Sequence, residues 1–225
     1  MTLADTLRDT LQRIENAADA AHRPVPRLLA VSKTQPAAAV AALAAAGQRS
    51  FGENYVQEAA IKVRELVELS LDWHLIGHLQ SNKAELAAQL FDWVETVDRP
   101  KLVAALARHR PMDRPPLNVL IQVNVDDEAS KHGCAPAEVP ALAEAIAAES
   151  RLALRGLMSI PTPHADPELR RPAFVRMKAL YDELATHHSG VDTLSMGMSD
   201  DYPIAVAEGA TQIRIGTALF GRRPG

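Results

Sequence analysis

The sequence predicts an α/β protein: a single (β/α)8 TIM-type barrel over residues 1–225, with an extra N-terminal helix at 1–22. Three observations carry that expectation. Eight short strand-like runs alternate with helical stretches, the rhythm of parallel strands joined by crossover helices. No GxGxxG, and no GxxxxGK followed by Ser or Thr, comes after any run, so the competing doubly wound open sheet lacks its usual phosphate-binding signatures. Polar and reactive residues collect where the runs end, the rim on which a barrel of this kind builds its site.

The elements follow in order. Leu3, Leu7, Leu11, Ile14, Ala18 and Ala21 are spaced by three and four, which predicts an amphipathic helix, read here as a lid. Strand-like runs occupy 28–32 (LLAVS), 49–53 (RSFGE), 72–77 (DWHLIG), 92–97 (DWVETV), 118–125 (NVLIQVNV), 154–160 (LRGLMSI), 191–196 (VDTLSM) and 211–215 (TQIRI). Short apolar runs bounded by turn signals suit parallel strands covered on both faces. Helical patterns lie near 36–47, 54–69, 81–90, 99–109, 136–149, 172–188 and 199–208. Pro36, Pro100, Pro136 and Pro172 fall where first turns are expected, a position proline tolerates. Alanine-rich stretches such as AAAVAALAAAG combine helix propensity with close packing on the barrel. The proline-rich stretch 161–171 is polar and reads as a loop inside the repeat.

Composition narrows the function classes. The net charge is −4, from 24 Lys and Arg against 28 Asp and Glu, so no basic footprint suggests nucleic acid or anionic lipid. No stretch approaches the roughly 18 apolar residues of a membrane span, and the first ten residues carry Asp5, Arg8 and Asp9 in place of a signal core. One cysteine, Cys134, rules out an internal disulfide and fits a reducing compartment, so a cytoplasmic location is expected. A monomer is expected too.

The stretch RLLAVSKTQP poses the functional question, because Lys33 directly follows a run that reads as a core strand. Lysine resists leaving water. A partly desolvated lysine serves as a nucleophilic amine, suited to a Schiff base; the plain alternative is a rim lysine reaching to solvent. Other strand ends supply Glu53 and Asn54, His78, Asn124, Met158 and Ser159, the SMGMS stretch from Ser195 to Ser199, and Arg214, Gly216 and Thr217. The loops after strands seven and eight are the usual phosphate site of this fold, and here they combine glycines with hydroxyls. Gly197 and Gly216 could equally serve tight turns alone. A lysine facing a phosphate nest suggests a phosphorylated aldehyde, and pyridoxal 5'-phosphate (PLP) is the cofactor with both handles. Arg214 is placed to meet the pyridine nitrogen, or alternatively to pair with Glu53.

The motifs AVSKTQP, FGENYVQEA, WHLIGHLQSNK, SMGMSDD and RIGTALFG, in this order from about residue 27 to Gly221, resemble the pyridoxal phosphate homeostasis proteins, the YggS/PROSC family. The resemblance implies a barrel like the N-terminal domain of alanine racemase, with Lys33 as the Schiff-base lysine. It implies that Ser199, Gly216 and Thr217 hold the phosphate, that Arg214 meets the ring nitrogen and that Asn54 lines the pocket; His78 and Ser195 are added from the strand ends as cofactor-binding candidates. It further implies a vitamin B6 homeostasis protein that holds PLP and releases it to acceptors, PLP-dependent apo-enzymes, with no catalytic residues. The alternative is an amino-acid racemase, for which the chain offers only Tyr55 or Tyr202 as a second base, since the sequence ends in GRRPG soon after the last strand. Position 35 is Gln where some relatives have a second lysine, so Lys83 or Lys131 would have to relay the cofactor.

Other constellations suggest less. His74 and His78 share a strand face, but no carboxylate or cysteine follows at ligand spacing, so no metal is expected. DDE at 126–128 reads as a solvated turn, Cys134 as an unreactive loop cysteine, and Trp73 and Trp93 as packing between barrel and helices.

Overall fold

The computed structural model describes residues 2–126, 128 and 132–221. Eight strands close into a barrel in chain order, and every neighbouring pair is parallel. They are β1 (Arg27–Val31), β2 (Ser50–Glu53), β3 (Asp72–Leu75), β4 (Trp93–Val97), β5 (Leu117–Gln122), β6 (Leu152–Met158), β7 (Thr193–Ser195) and β8 (Gln212–Ile215). The register Leu29↔Arg214 between β1 and β8 seals the ring.

The helices are α1 (Leu3–Ala20), α2 (Ala37–Ala45), α3 (Val56–Glu65), α4 (Ala84–Leu90), α5 (Pro100–His109), α6 (Val139–Ala147), α7 (Arg171–His187), α8 (Tyr202–Ala207) and the short α9 (Thr217–Phe220). No expectation covered α9. Pro36 is the N-cap of α2, and Pro100 is the first residue of α5, as a ring without an N–H prefers. A capping box starts α1: Thr2 Oγ1 accepts from the Asp5 N–H, and Asp5 accepts from the Thr2 N–H.

Two expectations for α1 need correction. Its buried face is Leu7, Thr10, Ile14 and Ala18, whereas Leu11 is exposed. The helix packs on α2, α8 and α9 in the outer ring, so it is no lid. The main core lies between strands and helices, where Phe51, Leu75, Val94, Leu106, Phe174 and Ile213 are fully buried. Trp73 belongs there, tilted against Phe51 at 5.9 Å. Trp93 does not. It joins Leu120 and Met158 in a separate small cluster, and its ring stacks on His74 at 5.0 Å. Among the described residues, no helix is long and apolar enough to cross a membrane.

Candidate functional site

Lys33 sits two residues past β1, in a turn, and is half-buried. The strand itself holds no lysine, so the desolvation conflict posed by the sequence is relieved by geometry. The turn is pinned from behind. Ser32 Oγ donates to Glu53 Oε1 at 2.5 Å, Lys62 Nζ donates to the Ser32 carbonyl at 2.7 Å, and Glu58 Oε1 accepts the Thr34 N–H at 2.6 Å. Lys62 also bonds Glu53 at 2.8 Å and Glu58 at 2.6 Å. Burial pushes the Glu53 carboxyl up, against the pull of Lys62 and Ser32. Thr34 takes φ +64°, an uncommon conformation for a β-branched residue, held by these flanking bonds. Glu53 pairs with Lys62, so it is no partner for Arg214.

Lys33 opens into a cavity of about 400 Å³ at the C-terminal ends of the strands. Asn54, Ile76, Ile160, Ser199, Arg214, Gly216 and Thr217 share its lining. Six sequence-derived candidates therefore meet in one space: Lys33, Asn54, Ser199, Arg214, Gly216 and Thr217. Gly77 lets the chain close here, since a Cβ would stand 2.1 Å from the Asn54 carbonyl oxygen. Gly197 is required for its backbone: φ is +92°, and a Cβ would meet that of Ala205 at 2.6 Å. The loop bearing Ser199 is braced by Asp201, which accepts the Met198 N–H at 2.6 Å and pairs with Arg170 at 2.6 Å.

Two candidates lie elsewhere. Ser195 is fully buried beneath the cavity, because the alternation of β7 turns it into the barrel interior. There its Oγ accepts from Arg214 at 2.8 Å and donates to Glu95 Oε2 at 2.7 Å. His78 is exposed past β3 and stacks on His132, with centroids 3.6 Å apart; partial burial and then the neighbouring His132 push its pKa down. It does not line the cavity. Lys83, in the 3-10 turn before α4, lines it no more than His78 does, and Lys131 falls outside the described residues. Burial pushes the Cys134 thiol up to about 12, which fits an unreactive cysteine. Asp126 and Glu128 of the DDE stretch accept from Thr162, so that turn is tied down and not merely solvated; Asp127 falls outside the described residues.

The sequence reading missed the floor of the site. Inside the barrel, Glu95 accepts from Gln212 at 2.6 Å and Ser195 at 2.7 Å, and it bonds His74 Nδ1 at 2.7 Å. Burial alone would raise Glu95, yet these bonds and the charges of His74 and Arg214 hold its carboxyl below the ordinary value. Arg214, 4% exposed, gives one bond to Ser195 Oγ and one to the Ser159 carbonyl at 2.8 Å. Burial pulls its pKa down and Glu95 and Asp201 oppose that, so it remains a cation. The available signal is a glutamate inside the buried strand run WVETV, where a charge is least expected.

Comparison with known proteins decides the family. Residues 5–224 match the alanine racemase N-terminal domain. A pyridoxal phosphate homeostasis protein of Pseudomonas aeruginosa is 54% identical over 224 residues, spanning 99% of this chain and 96% of that protein. The Escherichia coli K12 protein of the same name is 51% identical over 199 residues, 87% of this chain and 85% of that protein. The chain belongs to the pyridoxal phosphate homeostasis proteins. PipY of Synechococcus elongatus PCC7942, solved with PLP bound, superposes with a TM-score of 0.83 at 38% identity, over 98% of this chain and 100% of that one. D-threonine aldolase of Filomicrobium marinum shares the fold alone, with a TM-score of 0.76 at 19% identity. The family's fold is thus the closed eight-stranded barrel expected from the sequence.

Proposed function

We propose that this chain binds PLP in the cavity at the barrel mouth and serves intracellular vitamin B6 balance by holding and releasing it. One observation carries the reading: a single cavity is lined by a primary amine, a buried cation, and two hydroxyls beside a glycine. The donor set fits the group. Lys33 is the amine that would hold the aldehyde end, and Ser199, Gly216 and Thr217 would take the phosphate. The guanidinium of Arg214 would meet the ring nitrogen. Ser159 Oγ, fully buried beside Arg214, has no hydrogen-bond partner among the described residues. When bound, PLP supplies an aldehyde and an electron-withdrawing ring. Arg214 cannot give up a proton, so it holds the ring nitrogen unprotonated and keeps that ring a weak electron sink.

The racemase reading needs an acid and a base on opposite faces of a substrate carbon. Tyr55 is 62% exposed at the start of α3, and neither it nor Tyr202 lines the cavity. Among the described residues Lys33 is the one amine in the lining; Asp200, the one carboxylate there, lies beside Ser199 on the proposed phosphate side. A holding protein is the better fit, with apo-enzymes that need PLP as acceptors and the monomer as the working unit in a reducing cytoplasm.

The experiment is borohydride reduction of the PLP-loaded protein followed by peptide mass analysis, beside an absorbance spectrum. The Lys33 peptide should carry the reduced cofactor, and Lys33→Ala should lose both label and band. Labelling of Lys83 or Lys131 at the wild-type level in that variant would move the attachment point. Incubation of loaded protein with L-alanine in deuterated water should give no α-proton loss at the roughly 1–1000 per second of ordinary enzymes. Turnover in that range would restore the racemase.

A further inference from the structure

We propose a second site on the same rim: a divalent transition-metal site formed by His78, Asp98 and His132. The ligand atoms of these three side chains lie within 4.8 Å of one another, the one such grouping of His, Cys, Asp and Glu among the described residues. They come from the ends of three successive strands. His78 follows β3, Asp98 follows β4, and His132 lies on the return of the chain after β5. The cofactor cavity draws mainly on β1, β7 and β8, so the two sites occupy different arcs of one rim. None of the three residues lines that cavity.

The backbone beneath each ligand is held. Thr96 Oγ1 donates to the Gly77 carbonyl at 2.9 Å, which ties the end of β4 to the residue before His78. Arg99 donates to the Leu79 carbonyl at 3.0 Å, fixing the residue after it. Behind His132 the chain runs parallel to the segment that follows β5, bridging Val123 and Cys134: Cys134 N donates to the Gln122 carbonyl and Asn124 N to the Cys134 carbonyl, both at 2.9 Å. Gln122 Nε2 donates to the His132 carbonyl at 3.3 Å. Gly133 makes the return possible, because φ is +119° and a Cβ would meet Asn124 N at 2.6 Å. Arg99 donates to Asp98 Oδ1 at 2.5 Å, so that among the described residues the second oxygen is left to take a metal. The side chain of Asp98 is only 10% exposed, which favours a fixed ligand.

Two imidazole nitrogens and one carboxylate oxygen are a borderline donor set, suited to Zn²⁺, Co²⁺ or Ni²⁺ and poor for Mg²⁺. Three protein ligands leave a position for water or another oxygen donor. The rings now lie nearly parallel, 13° apart. Both lone pairs cannot meet one ion from that stack, so the rings must turn about χ2 on binding. The metal would clip the return after β5 to the ends of β3 and β4.

The test is calorimetric titration of tag-free, chelator-treated full chain with ZnCl₂, alongside the visible spectrum with CoCl₂. One Zn²⁺ per chain is expected, with a Co²⁺ d–d spectrum of mixed nitrogen and oxygen ligation, and no displacement by excess Mg²⁺. His132→Ala and the nearly isosteric Asp98→Asn should each weaken Zn²⁺ at least about tenfold. His187→Ala, on the outer groove between α6 and α7, should not. Added Zn²⁺ should also raise the melting temperature of the wild type, by mass action, and not that of the two variants. No binding, equal binding in both variants, or equal loss in His187→Ala would overturn the site.

Discussion

Along β4, neighbouring residues meet opposite surroundings. Val94 is fully buried in the apolar layer under the helices, whereas Glu95, also fully buried, is bonded to His74, Ser195 and Gln212 inside the barrel. The same holds on β8, where Ile213 joins the outer layer and Arg214 reaches Ser195 and Ser159. The outer layer is filled mainly by shape and dispersion, and the few polar groups buried at it, such as Lys62 and Arg110, are hydrogen-bonded. The inner column survives because each charge in it has partners: the Glu95 carboxylate offsets the Arg214 cation, with Ser195 between them. Replacing such a buried network by apolar groups is often neutral or stabilising, so stability does not explain its presence. Its upper end is the cavity floor. The outer layer therefore holds the barrel together, and on the proposed reading the inner column would set the electrostatics met by a cofactor at the mouth.

The largest expected effect comes from the outer layer. Phe51→Ala removes a fully buried ring that packs on Trp73, and should cost about 3–5 kcal/mol in urea unfolding. Protein that remains folded should bind PLP with an unmoved absorbance band, because Phe51 does not line the cavity. A shifted band with little loss of stability would erase the distinction between the two layers.

The inner column should respond the other way. Glu95→Gln removes the countercharge of Arg214 while keeping the shape, and should cost about 1–3 kcal/mol at neutral pH through unsatisfied buried groups. Its signature is pH dependence. The Glu95 carboxyl is held below its ordinary 4.5, so its contribution is present above that value and lost as the pH falls through the lowered one. Glu53 has the opposite sign: its raised carboxyl opposes folding at neutral pH and is relieved on acidification. Wild-type stability should thus fall on an acid limb that Glu95→Gln flattens, measured by unfolding midpoints across pH 3–7. The bound-cofactor band should also move in Glu95→Gln. An unmoved band would mean that the column's influence ends at Ser195.

This division also explains what could be read beforehand. The alternation of strands and helices was legible because the outer layer imposes it: runs such as LLAV and VLI had to be apolar, and all eight strands fall within a few residues of their expected places. Strand ends are legible too, so Lys33, Asn54, Ser199, Arg214, Gly216 and Thr217 group together from the sequence pattern. The partners of Arg214 were not. Glu95 lies 119 residues from it and His74 is 140 away, and only barrel closure brings them together. Trp93 was misplaced for the same reason, since its inward face depends on the register of β4. The His78, Asp98 and His132 grouping depends on how the chain returns after β5, which no periodicity encodes.

The smallest effect tests the mouth of the cavity against its floor. Thr217 is exposed at the first turn of α9 and lines the cavity beside Gly216. Thr217→Val keeps the shape and the backbone N–H and removes one hydroxyl donor. If that hydroxyl bonds the phosphate, the loss is about 1.5 kcal/mol, near the low end for a hydrogen bond to a charged group, and roughly tenfold in affinity. The site is open to water, which can replace part of the bond, so the loss should not exceed that by much. Stability should stay within about 0.5 kcal/mol, as expected for an exposed side chain that makes no cap hydrogen bond. The band should stay where it is in the wild type, because Thr217 has no hydrogen bond to Arg214 or Glu95 and would meet the phosphate end, not the ring. Titration of apo-protein with PLP reads the affinity, and the spectrum at saturation reads the band. Unchanged affinity would remove the loop after β8 from the phosphate site. A band that moved with Thr217 would mean that mouth and floor act as one unit.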